Sequence, residues 1–101
     1  AQAETEYEEA LKIYRALAEV NPQAYLPDVA MTLVNFSIFY YSNMEDKEKS
    51  LYYSKEALRA ALPFLEYLPS VQNYAKTAFQ IIQAWGEDPE ALMQQILDEN
   101  K

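Results

Sequence analysis

A repeated segment constrains the fold of this chain more than any other feature of its sequence. The segments YLPDV (residues 25–29) and YLPSV (residues 67–71) differ at one position. After each copy, apolar residues follow at the i, i+4, i+7 and i+11 spacing of one helix face: Val29, Leu33, Phe36 and Tyr40, then Val71, Ala75, Ala78 and Ile82. The pattern predicts two equivalent helices. The copies lie 42 residues apart, and a repeat of that length is typical of stacked helical units.

A second series, in which a small residue precedes leucine, alternates with the first. Its members are Ala10–Leu11, Ser50–Leu51 and Ala91–Leu92, which stand near the start of three further predicted helices. No segment has the alternating apolar and polar residues of a half-buried strand. The chain is therefore predicted to be all-α, with about five helices over residues 4–20, 27–43, 46–62, 69–85 and 88–98.

Prolines suggest where three of these helices begin or end. Pro27 and Pro69 each stand where the first turn of a helix tolerates a missing N–H group. Pro63 leaves two alternatives open, because the helix over 46–62 either ends there or kinks and continues toward Tyr67.

Capping residues mark the remaining ends. Thr5 with Glu8 has the sequence pattern of a capping box at the start of the first helix. Gly86 suits the left-handed residue after a helix, and Asp88 with Pro89 suits the start of the last one.

These residues resemble the tetratricopeptide repeat (TPR) family. Phe36, Ser37 and Tyr40 match the apolar, small and aromatic residues of the family's first helix, and the turn over residues 86–92 (GEDPEAL) is similar to its inter-helix turn. Small residues at the positions of the family's second helix are Ala10, Ser50 and Ala57. Three positions depart from the family's pattern, namely Met44 for the turn glycine, Ser54 for an aromatic and Phe79 for a small residue.

The resemblance implies a right-handed antiparallel helix-hairpin solenoid in which residues 1–101 form a single TPR-like domain. Its repeats would be of a longer variety, with a step of roughly 42 residues. Residues 1–24 would be the second helix of a partial repeat, residues 25–66 a full repeat and residues 67–101 a final repeat. Because the chain begins on a second helix, we expect it to be either a piece of a longer array or a mature form trimmed at its start. The sequence shows no signal peptide, and a cytoplasmic location is favoured over other compartments.

The composition excludes several classes of chemistry. The chain has no cysteine and no histidine, so it lacks thiol nucleophiles, the usual zinc ligands and the commonest general base. Its carboxylates cluster at predicted helix starts and turns, where they suit the helix dipole better than a metal ion. We therefore expect no enzymatic activity, no cofactor and no metal.

Charge and hydropathy limit the partners. The formal net charge is −8, and the eight Lys and Arg residues are scattered, which disfavours binding to nucleic acid or to an anionic membrane. The longest uncharged run, residues 29–44, is shorter than the ~20 residues that span a bilayer, so no membrane insertion is expected. The partner class left is protein or peptide.

In the TPR family, the first helix of each unit lines a concave groove that holds a segment of a partner. The resemblance places one wall of that groove at Met31, Val34, Ile38, Tyr41 and Ser42. The equivalent wall, one repeat later, is Asn73, Lys76, Gln80, Gln83 and Ala84. The first wall is apolar with an aromatic residue, whereas the second is rich in amides and has one cation.

Two functional hypotheses follow, with an enzyme accessory domain as a distant third. The first is a non-catalytic protein- or peptide-binding scaffold that holds its partner in the groove. The alternative is a structural segment that oligomerises through its terminal helices, because the apolar face of the first helix (Leu11, Tyr14 and Leu17) lacks a preceding helix to cover it.

Overall fold

The computed structural model describes residues 2–99, and within that range all regular structure is helical. The helices are α1 (Gln2–Val20), α2 (Pro22–Ser42), α3 (Lys47–Ala61), α4 (Pro69–Ala84) and α5 (Pro89–Glu99), with a 3₁₀ turn over Leu62–Phe64. The predicted all-α class is confirmed for the described residues, and each of the five predicted helices is present.

Each helix packs on the next one along the chain, and the central helices also reach the one after that. α2 contacts α1, α3 and α4, while α3 also contacts α4 and α5. Ion pairs join α1 to α3, with Arg15 lying 3.9 Å from Glu56 and Lys49 lying 4.0 Å from Glu4. The central pair, α2 and α3, is the most closely packed of these pairs.

The predicted start of the second helix at Pro27 is wrong. α2 begins earlier, at Pro22, and the side chain of Asn21 caps it by accepting a hydrogen bond from the Ala24 amide at 3.3 Å. Pro27 therefore lies inside the helix, where it lacks the N–H group that would donate to the carbonyl of the exposed residue Gln23. Its counterpart Pro69 does begin α4, as predicted, so the two copies of the repeated segment play different structural roles.

Two other predicted ends need correction or completion. Thr5 does not cap α1, because that helix is already formed at Gln2. At Pro63 the α-helix ends at Ala61 and the chain continues as the 3₁₀ turn, so the helix neither stops abruptly nor runs on to Tyr67.

The caps around the last turn are confirmed. Gly86 has a φ of +86°, and the Asp88 carboxylate accepts hydrogen bonds from the amides of Glu90 (3.0 Å) and Ala91 (3.3 Å). In the α2–α3 turn the left-handed residue is Glu45, with a φ of 50°.

The core contains both of the repeated helix faces that the sequence predicts. All eight apolar residues of the two repeated helix faces are buried, and Phe36, Val71, Ala78 and Ile82 are fully so. The predicted uncovered face of α1 is only partly correct, because Leu11 is buried and Tyr14 packs against the core, whereas Leu17 is 38% exposed.

Candidate functional site

Three buried serines hold α2 and α3 together. Ser37, Ser50 and Ser54 are each fully buried. The Ser37 hydroxyl donates to the Ser50 carbonyl at 2.6 Å, and the Ser50 hydroxyl donates to the Ser37 carbonyl at 2.9 Å. The Ser54 hydroxyl lies 2.6 Å from Ser37 Oγ. Because hydroxyls are short and reach backbone carbonyls of the other helix, the two helices approach closely without leaving a buried polar group unpaired.

Stacked aromatic rings flank the serines on the side of α1. The Phe36 ring lies 4.4 Å from that of Tyr53 and 5.0 Å from that of Tyr40, centroid to centroid, and Tyr7 of α1 stacks on Phe36 at 5.4 Å. The Tyr40 hydroxyl donates to the Glu4 carboxylate. Burial and that carboxylate raise the pKa of Tyr40, and burial followed by the charge of Glu8 raises the pKa of Tyr53. Tyr40 lies in the core, and Tyr7 and Tyr53 pack against it.

The end of α4 is fixed on the α2–α3 hairpin through Trp85. Its indole Nε1 donates to the Ser50 hydroxyl at 2.8 Å. Its ring meets Tyr41 of α2 edge-on, with centroids 5.0 Å apart. α4 therefore occupies a slot whose two sides are α2 and α3.

The predicted wall on α2 is partly lost to this packing. Val34 is buried in the core with 3% of its surface exposed, so its assignment to an open groove is wrong. Met31 is half-buried and Ser42 is exposed. Ile38 and Tyr41 are 37% and 40% exposed, as expected for a binding surface.

Every residue of the predicted wall on α4 is exposed, and three of the five line a pocket. Asn73, Lys76, Gln80, Gln83 and Ala84 are all exposed. The pocket has a volume of about 500 Å³ and lies between α4 and α5; its lining residues are Leu65, Gln72, Ala75, Lys76, Phe79, Gln80, Gln83 and Met93. None of the predicted α2 residues lines this pocket. The structure thus brings Lys76, Gln80 and Gln83 together with apolar surface from Phe79 of α4, Met93 of α5 and Leu65, which precedes α4. We call this pocket the α4–α5 groove.

Phe79 and Met93 are groove residues that the sequence analysis missed. The signal was present at Phe79, because the equivalent residue one repeat earlier is the small residue Ser37. A ring at that position cannot make the short contacts that Ser37 makes, and the contact between α4 and α5 is much less extensive than that between α2 and α3.

The repeat relates this groove to the slot that α4 fills. Lys76, Gln80 and Gln83 are the repeat equivalents of Val34, Ile38 and Tyr41. On α2 that surface is partly covered by α4, since Val34 is buried and Tyr41 contacts Trp85. On α4 the equivalent surface is open and forms the groove.

Ion pairs hold the second half of α5 against α3. The Arg59 guanidinium donates to both oxygens of the Glu99 carboxylate, at 2.9 and 2.7 Å, and also to Glu56. This pairing lowers the pKa of the Glu99 carboxyl and raises the pKa of Arg59. Lys55 donates to Gln95 at 3.4 Å. The α5 side of the groove is therefore positioned from α3 as well as from α4.

A metal cluster and a membrane span are both absent from the part of the chain that the structure describes. Within residues 2–99, no three His, Cys, Asp or Glu side chains are grouped to hold a metal ion. No helix in the same range is long and apolar enough to cross a bilayer.

Comparison with known proteins adds no assignment, because no protein family, no curated protein and no solved structure matches this chain.

Proposed function

We propose that this chain is a non-catalytic TPR-like module that binds an apolar helical segment of a partner protein in the α4–α5 groove. The observation that carries the proposal is the equivalence of two surfaces. The surface of α2 beside α3 receives a helix, α4, whereas the equivalent surface of α4 beside α5 is open. A helix is the occupant that this geometry favours, because the chain itself fills the matching slot with one.

The residues of the groove support the same choice. Phe79, Met93 and Leu65 provide apolar, half-buried surface, which is the part of an interface that stabilises binding. Gln80 and Gln83 lie along the exposed edge and carry both hydrogen-bond donors and acceptors. Peptide-binding grooves of this kind recognise the apolar i, i+3, i+4 and i+7 positions of an amphipathic helix.

A peptide selection tests this proposal. Amphipathic helical peptides of ~18 residues, about five turns, would be selected from a display library against the chain. Their dissociation constants would then be measured with the wild type and with a groove variant, Lys76→Glu with Gln80→Glu. We expect the groove variant to bind about tenfold more weakly, a change worth about 1.4 kcal/mol, because two carboxylates at the rim oppose burial of an apolar face.

The matched control carries the same charge changes away from the groove. Lys12→Glu with Gln23→Glu alters exposed residues of α1 and α2, and its affinity should equal that of the wild type. Selected peptides that bind the groove variant as tightly as the wild type would show that the site is elsewhere, and a selection that yields no binder would count against a binding module.

A further inference from the structure

We infer that the occupant of the α4–α5 groove is a second copy of this chain, which inserts an exposed apolar stripe of its own α1. This identification of the partner rests on the proposed function of the groove. It also specifies which surface of α1 takes part in self-association; of the three residues that the sequence suggests for this role, only Leu17 belongs to that surface.

The stripe consists of Ile13, Leu17 and Val20, which are 59%, 38% and 87% exposed. Their i, i+4 and i+7 spacing places them on one face of α1. The other apolar face of α1, with Leu11 and Ala18, is buried in the core of the same chain. α1 is therefore apolar on two faces over its second half, and only one of them is covered by the chain itself.

Acidic residues continue the stripe toward the start of α1. Glu6 and Glu9 precede Ile13 at the i−7 and i−4 positions and so share its face, and both are exposed. The outward face of α1 thus changes from acidic to apolar along its length. A surface that accepts it should be apolar with a cation at one side.

The α4–α5 groove has those properties. Lys76 is its only cationic lining residue, and it forms no ion pair with another residue of the described range 2–99. The apolar stripe spans ~10 Å along α1, and the groove residues from Gln72 to Gln83 span ~16 Å along α4, at about 1.5 Å per residue. The stripe therefore fits within the groove, with Glu9 available to pair with Lys76.

The symmetry of this contact determines what assembles. The stripe and the groove are different surfaces, so the contact is head-to-tail and leaves one free stripe and one free groove on every pair. Oligomers should therefore grow with concentration rather than stop at a dimer. The net charge of −8 opposes each addition, which keeps the association weak and reversible.

A complementation experiment tests the inference. The stripe variant, Leu17→Glu with Val20→Glu, keeps an intact groove, and the groove variant, Lys76→Glu with Gln80→Glu, keeps an intact stripe. Sedimentation velocity from about 1 μM to about 1 mM should show growing oligomers for the wild type and monomers for each variant alone. An equimolar mixture of the two variants should form a one-to-one complex and nothing larger. A Tyr52→Glu control, at a side chain of α3 that is 54% exposed, should associate like the wild type.

The outcomes separate this inference from the proposed function. A wild type that stays monomeric at the highest concentration, or a mixture that forms no complex, overturns self-association. In that case the selected peptides decide the proposed function. If the groove variant no longer binds them, the groove is a binding site for another partner; if it still binds them, both proposals fail. A stripe variant that oligomerises like the wild type while retaining its helical circular dichroism also overturns the assignment to α1.

Discussion

The two hairpins of this chain, α2–α3 and α4–α5, occupy equivalent positions in the repeat but differ in the residues between their helices. Ser37, Ser50 and Ser54 fill the contact between α2 and α3; the equivalent residues of the second hairpin are Phe79, Ala91 and Gln95. The serines exchange hydrogen bonds with each other and with the facing backbone, which brings the first pair of helices close together. Phe79 and Ala91 have no hydroxyl with which to form such a network, and the groove lies between the helices of the second hairpin.

The first hairpin also has aromatic residues at three positions where the second has none. Stacked rings of Phe36, Tyr40 and Tyr53 brace the first hairpin. The equivalent residues of the second hairpin are Ala78, Ile82 and Gln94. One repeated backbone pattern can therefore give a closed structural unit or an open surface, depending on the side chains at a few interhelical positions.

Exchanging one residue between the hairpins should have the largest effect on the free energy of unfolding. Ser37→Phe puts the ring of the second hairpin into a fully buried site where Ser37 Oγ lies 2.6 Å from the Ser50 carbonyl. Overpacking costs about 1–3 kcal/mol, and loss of the serine hydrogen bonds costs about 1–3 kcal/mol more. Urea unfolding should therefore show a free energy of unfolding lower by about 4 kcal/mol.

The reciprocal change provides the matched control. Phe79→Ser removes a partly buried ring at the edge of the groove and should lower the free energy of unfolding by a smaller amount, about 2 kcal/mol, because it breaks no buried hydrogen-bond network. Equal losses in the two variants would mean that this position does not account for the difference between the hairpins.

Alkaline pH should destabilise the fold through two tyrosines of the first hairpin. The pKa of Tyr40 is raised in the folded chain by burial and by the hydrogen bond to Glu4, so folding favours the neutral phenol. This contribution is fully present below the unfolded pKa of about 10 and is lost as the pH rises toward the higher folded pKa. The free energy of unfolding should fall by up to about 1.4 kcal/mol per pH unit for this group.

Urea unfolding between about pH 8 and about pH 11.5, followed by circular dichroism, would measure this slope. Tyr40→Phe removes the titrating group but keeps the ring, so its slope should be smaller, while the remaining slope reports Tyr53, whose pKa is also raised. A variant with the same slope as the wild type would show that Tyr40 is not held neutral by the fold.

The helices and their buried faces were predictable because both follow from local spacing. A helix that buries one side must place apolar residues at that spacing, and the faces after both repeated segments do so. The start of α2 was harder to predict, because Pro27 and Pro69 stand in nearly identical segments. The distinguishing signal was the earlier Asn21–Pro22 pair, which caps a helix that then continues through Pro27.

The candidate site was harder to predict than the fold because it depends on how helices pack across the repeat. The sequence identified Lys76, Gln80 and Gln83 as exposed residues of one face, and the structure places them along one groove. It could not show that Val34 is buried, nor that Met93 of α5 completes the groove. Likewise, periodicity alone could not tell which apolar face of α1 would turn toward α2.

The smallest expected effect concerns how α5 is held in place, which determines how open the second hairpin is. Glu99→Gln removes the charge that pairs with Arg59 but leaves the apolar contact of Ile96, which is 1% exposed. Exposed ion pairs contribute little to global stability, so the urea midpoint should stay unchanged while the amides of α5 exchange with deuterium several-fold faster. Glu19→Gln, the same change on α1, should leave that exchange rate as it is. Unaltered α5 exchange in both variants would show that the other contacts of α5, Ile96 among them, anchor the helix without help from the Arg59 pair.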